Sequence, residues 1–213
     1  MIEPTRIIAL RHGETTWNVD TRIQGQLNIP LSPIGRWQAE QLALALSDEP
    51  LAAIYSSDLT RAWETAQYVA RLQNLNIIEE IGLRERGFGD FEGKTFAEIA
   101  TLLPEQSQRW RKREPDFAPA GGETLVALRT RVLEAATRLA AQHPGEQIAL
   151  VAHGGVMDVL YRAATRQEIQ APRTWDLGNA AINRLLWTPE GFTLVGWANT
   201  QHLNADVLDE TTS

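Results

Sequence analysis

Cysteine is absent from all 213 residues. Disulfides, thiolate nucleophiles and Cys-based metal sites are therefore excluded at once. No apolar run approaches the length of a bilayer span, and Met1-Ile2-Glu3-Pro4 leads into the first apolar stretch without the basic and apolar regions of a secretory leader. The compartment expected from this is the cytoplasm. Positive charge is also short. Twenty basic residues against 27 acidic ones leave a net charge of −7, which argues against a nucleic-acid or anionic-membrane partner, since both need a basic field. Internal repeats, linkers and low-complexity stretches are missing too, so a single domain over residues 1–213 is expected. Hydrophobic residues at 43% and charged residues at 22% are ordinary for a soluble globular chain, and the length allows a sizeable core.

What is present begins at the first apolar run. Ile7-Ile8-Ala9-Leu10 reads as a strand buried on both faces, as in parallel α/β sheets, which hold ligands just beyond the carboxyl ends of their strands. Arg11-His12-Gly13 stands at that edge. It offers a planar cation, an imidazole and a position without a Cβ where a ligand can approach the backbone, a combination suited to phosphate. The polar loop from Glu14 to Leu31 carries Asn18, Gln24 and Gly25 and is long for a connection. Ser32-Pro33 starts a helix with an apolar face of Ala39, Leu42, Ala43 and Leu46. Leu51 to Ser56 reads as a second strand, with Ser57-Asp58 capping the next helix. Arg61 falls in that helix's first turn, where a cation opposes the positive end of the dipole. Either Asp58, Glu64 or Glu14 neutralises it, or helix end and Arg61 converge on one anion.

Ile77-Ile78 gives a third strand, and Leu83-Arg84-Glu85 leads into a Gly-rich bend, Gly87 to Gly93. Between Thr95 and Gly122 lie a short helix at Phe96 to Ala100 and the basic run Arg109-Trp110-Arg111-Lys112-Arg113. That run is either a solvated helix face with one packed Trp or a substrate contact. Thr124 is the expected N-cap of a helix with Leu125, Leu128, Val132, Ala136 and Leu139 inside, stopped by His143-Pro144-Gly145, with His143 at the surface. Gln147 to Ala152 is a further strand that brings His153 to the same sheet edge as His12, and Gly154-Gly155 opens a helix whose amides would face a phosphate. Ala181 to Trp187 and Phe192 to Trp197 read as a hairpin, preceded by Asn179. The acidic tail after His202, residues 203–213, is expected to be mobile.

As an ordered set, Arg11-His12-Gly13, Asn18, Gln24-Gly25, Arg61, Leu83-Arg84-Glu85 and Val151 to Gly155 resemble the histidine phosphatase superfamily, in its phosphoglycerate mutase-like branch. The resemblance runs from the first strand to Trp197. It implies a three-layer α/β/α sandwich with a mostly parallel central sheet, and a phosphatase that acts on a small phosphorylated metabolite through a phosphohistidine. His12 is then the nucleophile, Glu85 the acid and base, and Arg11, Arg61 and His153 the grip on the phosphoryl group. Asn18, Gln24, Gly25, Gly154 and Asn179 complete the binding set, and residues 88–124 cover the site, with Arg109 and Arg111 selecting substrate. In the acid-phosphatase branch an Asp follows the second His; Gly154 stands there instead, which leaves Glu85 as the donor.

No cofactor and no metal are expected. A site of His12, His153 and Glu85 would set Arg11 against the ion. The resemblance leaves a homodimer open. A cofactor-dependent mutase is the alternative, although Glu85-Arg86-Gly87-Phe88-Gly89 departs from the mutase pattern Glu-Arg-His-Tyr-Gly. A non-catalytic phosphate binder is the third reading, disfavoured because His12 and Glu85 are both retained.

Overall fold

A computed structural model describes residues 3–204. The strands β1 (Thr5–Arg11), β2 (Ala53–Ser56), β3 (Ile77–Glu79), β4 (Gln147–Ala152), β5 (Ile182–Thr188) and β6 (Gly191–Asn199) form one sheet in the order β3-β2-β4-β1-β5-β6. The first four in that order run parallel, and the hairpin β5–β6 adds two antiparallel strands beside β1.

The near-continuous apolar strands serve both faces of this sheet. Along β1, Ile7 and Ala9 join one core cluster while Ile8 and Leu10 join the other, and β4 divides Ile148, Leu150 and Ala152 from Ala149 and Val151 in the same way. The first cluster is closed by helices α6 (Leu125–Ala140) and α7 (Gly154–Thr165), the second by α2 (Pro33–Ala45) and α3 (Thr60–Gln73). The result is the expected α/β/α sandwich. Truncating one fully buried member such as Leu10 costs about 2–5 kcal/mol, lost transfer energy plus the cavity.

Local signals set several boundaries. Ser32 accepts from the Gly35 amide at 3.0 Å with Pro33 in the first turn, and Thr124 accepts from Ala127 at 3.0 Å. Helix α3 departs from expectation: its N-cap is Leu59, without a side-chain cap, because Ser57 and Asp58 are engaged elsewhere. The Glu14 to Leu31 loop contains a helical turn, α1 (Thr16–Val19), held by a capping box between Thr15 and Asn18. His143 is half-buried rather than a free surface group: Nε2 meets the Tyr55 hydroxyl at 2.9 Å and Nδ1 meets Glu146 at 2.6 Å.

Over the carboxyl edge of the sheet sits a cover made of α4 (Phe96–Leu102), α5 (Pro104–Arg111) and the bends around them. It has a small core of its own, Ile23, Phe91, Ile99 and Phe117, with Trp110 stacked on Phe96. Among the described residues no helix is long and apolar enough to cross a membrane. The tail expected to be mobile lies, from residue 205 onward, outside the described residues.

Candidate active site

Because β1 and β4 are parallel neighbours, their carboxyl ends deliver His12 and His153 side by side, with ring centroids 5.2 Å apart. His12 is buried, and its Nδ1 lies 2.7 Å from the Gly13 carbonyl oxygen. A carbonyl only accepts, so Nδ1 carries the proton and Nε2 presents a lone pair. Arg61 Nε–H points at that lone pair from 3.3 Å. Burial, then the cations Arg61 and Arg11, hold the His12 imidazole well below its usual range, so it is neutral at pH 7.

Arg61 is only 1% exposed. It is neither solvated nor paired with the acids that might have neutralised it. Asp58 pairs with Arg84, Glu64 accepts from the Leu31 amide at 3.0 Å, and Glu14 accepts from Ser32 Oγ at 3.0 Å. Its two terminal nitrogens instead donate to the carbonyls of Leu27, at 2.9 Å, and Gly25, at 2.8 Å. Burial pulls its pKa down to about 10, which leaves it a cation at neutral pH. Gly25 therefore contributes by orienting the guanidinium. Its φ of +51° and the Glu92 carboxylate packed against it leave no room for a side chain.

His153 Nε2 lies 2.8 Å from the Ser57 hydroxyl, which also accepts from the Leu59 amide at 3.3 Å. With the Ser57 proton given to Nε2, Nδ1 of His153 is a donor. That Nδ1 is buried without a partner, as is Arg11 Nε. A buried polar group left unpaired costs about 1–3 kcal/mol, so these two groups beside His12 suit a ligand that supplies their missing partners. Burial, followed by Arg61, His12 and Arg11, also keeps His153 well below its usual range.

Glu85 reaches the site from the turn that follows β3. Both of its oxygens lie 3.1 Å from the Gly155 amide, and Oε1 accepts from the Arg86 amide at 2.8 Å. The N-terminus of α7 therefore holds the acid through Gly155, where the sequence had its amides facing the phosphate. A Cβ on Gly155 would stand 2.2 Å from Glu85 Oε1. A Cβ on Gly154 would stand 3.6 Å from Arg11 Nε and 3.8 Å from Glu85 Oε2, so Gly154 lies between the cation and the acid. Gly13 also needs a second account. A Cβ there would meet the Gly35 carbonyl oxygen at 2.4 Å, so it is the close approach of α2, not of a ligand, that demands glycine.

The remaining candidates surround this floor. Asn179 donates to the His12 carbonyl at 3.0 Å and lies 3.4 Å from Asn18 Oδ1, which caps Thr15. Gln24 is buried with Oε1 unpaired. Above the floor opens a cavity of about 760 Å³ with Arg11, Glu85, Gly154, Trp110 and Arg111 in its walls. Arg109 does not line it: it pairs with Glu114 at 2.7 Å and lies over the Phe117 ring, on the solvent side of the cover. Sequence reasoning missed Ser57 as the partner of His153, although a polar pair at the end of β2, on the same sheet edge, was a usable signal.

Residues 7–200 match the profile of the histidine phosphatase superfamily (branch 1). The chain belongs to that superfamily. It is 36% identical over 206 residues to phosphoglycerate mutase-like protein 4 of Arabidopsis thaliana, covering 95% of this chain and 88% of that protein. It is 35% identical to the metal-independent phosphoserine phosphatase of the same plant, covering 95% and 85%. Among solved structures, YhfR of Bacillus stearothermophilus superposes with a TM-score of 0.87 at 32% identity, over 93% of this chain and 99% of that one. The enzyme class expected from the motifs, a phosphoric monoester hydrolase, stands with this membership.

Proposed function

We propose that the protein hydrolyses a small phosphate monoester in two steps through phosphorylated His12. The observation that carries this is the fixed tautomer of a neutral His12, with its Nε2 lone pair among buried cations. A phosphate dianion repels nucleophiles, so catalysis needs charge cancellation and alignment more than new chemistry. Arg11 Nε, Arg61 and His153 Nδ1 donate to the non-bridging oxygens. His12 Nε2 forms the N–P bond as the ester P–O bond breaks, and Glu85 gives its proton to the departing oxygen. Water then attacks the phosphohistidine, Glu85 takes the proton, and inorganic phosphate leaves. The acidic surface and small buried site support a diffusible metabolite as substrate, and the cytoplasm as compartment.

Two substitutions test the roles. Glu85→Gln keeps size but lacks the transferable proton. With p-nitrophenyl phosphate, whose leaving group needs little protonation, rapid quench should show a burst of p-nitrophenolate and an acid-labile phosphoprotein. Alkyl esters should lose about a hundredfold to ten-thousandfold. His12→Ala should show neither burst nor phosphoprotein. Equal losses on aryl and alkyl esters without a burst would move the acid role, and Glu14 is the next carboxylate to test.

A further inference from the structure

Beyond the phosphate end, the cavity wall carries groups that phosphoryl transfer leaves unused: Arg111, Arg113, Arg173, Asp158 and Trp175. Asp158 lies on α7 four residues after Gly154, hence about 6 Å further along the helix and on the same face. Its side chain is 9% exposed. Oδ2 accepts from Arg113, which reaches over from the cover, at 2.8 Å, and from Arg162 Nε at 3.0 Å. Oδ1 is buried and accepts from nothing.

Trp175 Nε1 is buried and has no acceptor either, while its ring is clamped by a 4.1 Å stack on Tyr161 and by the Arg162 guanidinium 4.7 Å from its centre. Arg162 thus fixes one unpaired acceptor and one unpaired donor on the same wall. Arg111 and Arg173 add two exposed cations that pair with no carboxylate among the described residues. Arg173 lines the same cavity as Arg11 and Arg113, and its charge opposes that of each.

We propose that this wall is the leaving-group subsite. Asp158 Oδ1 takes a hydroxyl or ammonium donor of the substrate, Trp175 Nε1 gives a hydrogen bond back, and Arg173 with Arg111 holds a second negative charge. The substrate class is then a small phosphate monoester whose leaving group carries a hydrogen-bond donor within a few bonds of the ester and an anionic group beside it. This rests on the phosphatase reading above. An uncharged alcohol or a hydrocarbon leaving group would leave the Arg173 and Arg111 charges unmatched.

The test uses four esters that differ by one group. O-Phosphoserine has the donor and the carboxylate; 3-phosphoglycerate exchanges ammonium for hydroxyl; 3-phosphonooxypropanoate lacks the donor; O-phosphoethanolamine lacks the carboxylate. A hydrogen bond to a charged group separates matched esters by about tenfold to a hundredfold, so kcat/KM for one or both donor-bearing acids should exceed that for 3-phosphonooxypropanoate by this factor. Asp158→Asn should bring the ratio near one, and Arg173→Gln should shrink the phosphoserine to phosphoethanolamine ratio.

Ratios taken on one preparation cancel partial unfolding or a displaced cover. Arg113→Met separates recognition from latching, because it removes the ion pair with the cover and keeps Asp158; it should retain the donor ratio. A donor ratio within twofold of one in the native protein, or equal losses in Asp158→Asn and Arg113→Met, would overturn the proposal. Calorimetric binding of the same esters to His12→Ala reads the ratio without turnover. No hydrolysis alongside a preserved binding ratio would therefore sink the phosphatase reading and leave this one standing.

Discussion

The floor of the site and its cover both use arginine, in opposite ways. Arg61, 1% exposed, has all three guanidinium nitrogens committed to His12 and two carbonyls. Arg109, with a side chain 54% exposed, lies in water with a single acidic partner. The first is desolvated and fixed before substrate arrives, which is what stabilises developing charge; the second is screened and able to reorient, and such pairs contribute little. The sandwich therefore holds its arginine rigid and dry, while the cover leaves Arg109 mobile and wet.

The sharpest test of that contrast is Arg61→Met. Removing a preorganised donor costs about a thousandfold in kcat, and the carbonyl of Gly25 is left buried without a donor, at about 1–3 kcal/mol, while that of Leu27 is partly open to water. Steady-state kinetics and urea unfolding read the two losses separately. A tenfold loss or less would mean that the floor is no more organised than the cover.

Next in size is Gly155→Ala. The added methyl displaces the Glu85 carboxylate, so alkyl esters should lose about a hundredfold and p-nitrophenyl phosphate clearly less. Equal losses on both esters would point to a general disturbance of α7 instead.

The buried imidazoles also tie the floor to pH. His12 and His153 have folded pKa values lowered below 6.5, so below that pH the unfolded chain binds protons that the folded chain refuses. Stability from this source is complete above pH 6.5 and falls as the pH drops toward the lowered values, by about 1.4 kcal/mol per pH unit for each imidazole. The urea midpoint should shift less between pH 7 and pH 5 in His12→Asn than in the native protein. The same neutral His12 places the acid limb of kcat/KM below 6.5. The smallest effect is expected for Arg109→Ala: less than twofold on any ester, and within about 0.5 kcal/mol in stability. A larger change in substrate preference would return Arg109 to the site.

The floor was legible in the sequence because strand ends are. Apolar runs that stop at Arg11-His12 and at His153 state both the sheet edge and the chemistry, and short-range cap rules placed Ser32 and Thr124 correctly. The misreadings have tertiary causes. Asp58 looked like a cap until Arg84, distant in sequence, claimed it, and Gly13 looked like a ligand contact until α2 crossed beside it. The far wall was invisible for the same reason. Asp158 and Trp175 belong to no local pattern, and Arg113 was read only as one of a basic run; the fold of the cover over α7 brings Arg113 to Asp158, and Tyr161 and Arg162 hold Trp175.

The order of the strands also has a consequence in time. In the sheet β1 lies between β4 and β5, with Arg6 opposite Gln147 and Leu186, so the first strand made has no partner until most of the chain exists. At roughly 5–20 residues per second, synthesis leaves that strand waiting on the order of 10 s on the ribosome. During this interval His12 is made but has no His153 beside it. The apolar edges of Ile7, Ile8 and Leu10 stay open to other chains meanwhile, which makes the nascent form, rather than the finished enzyme, the state most exposed to aggregation.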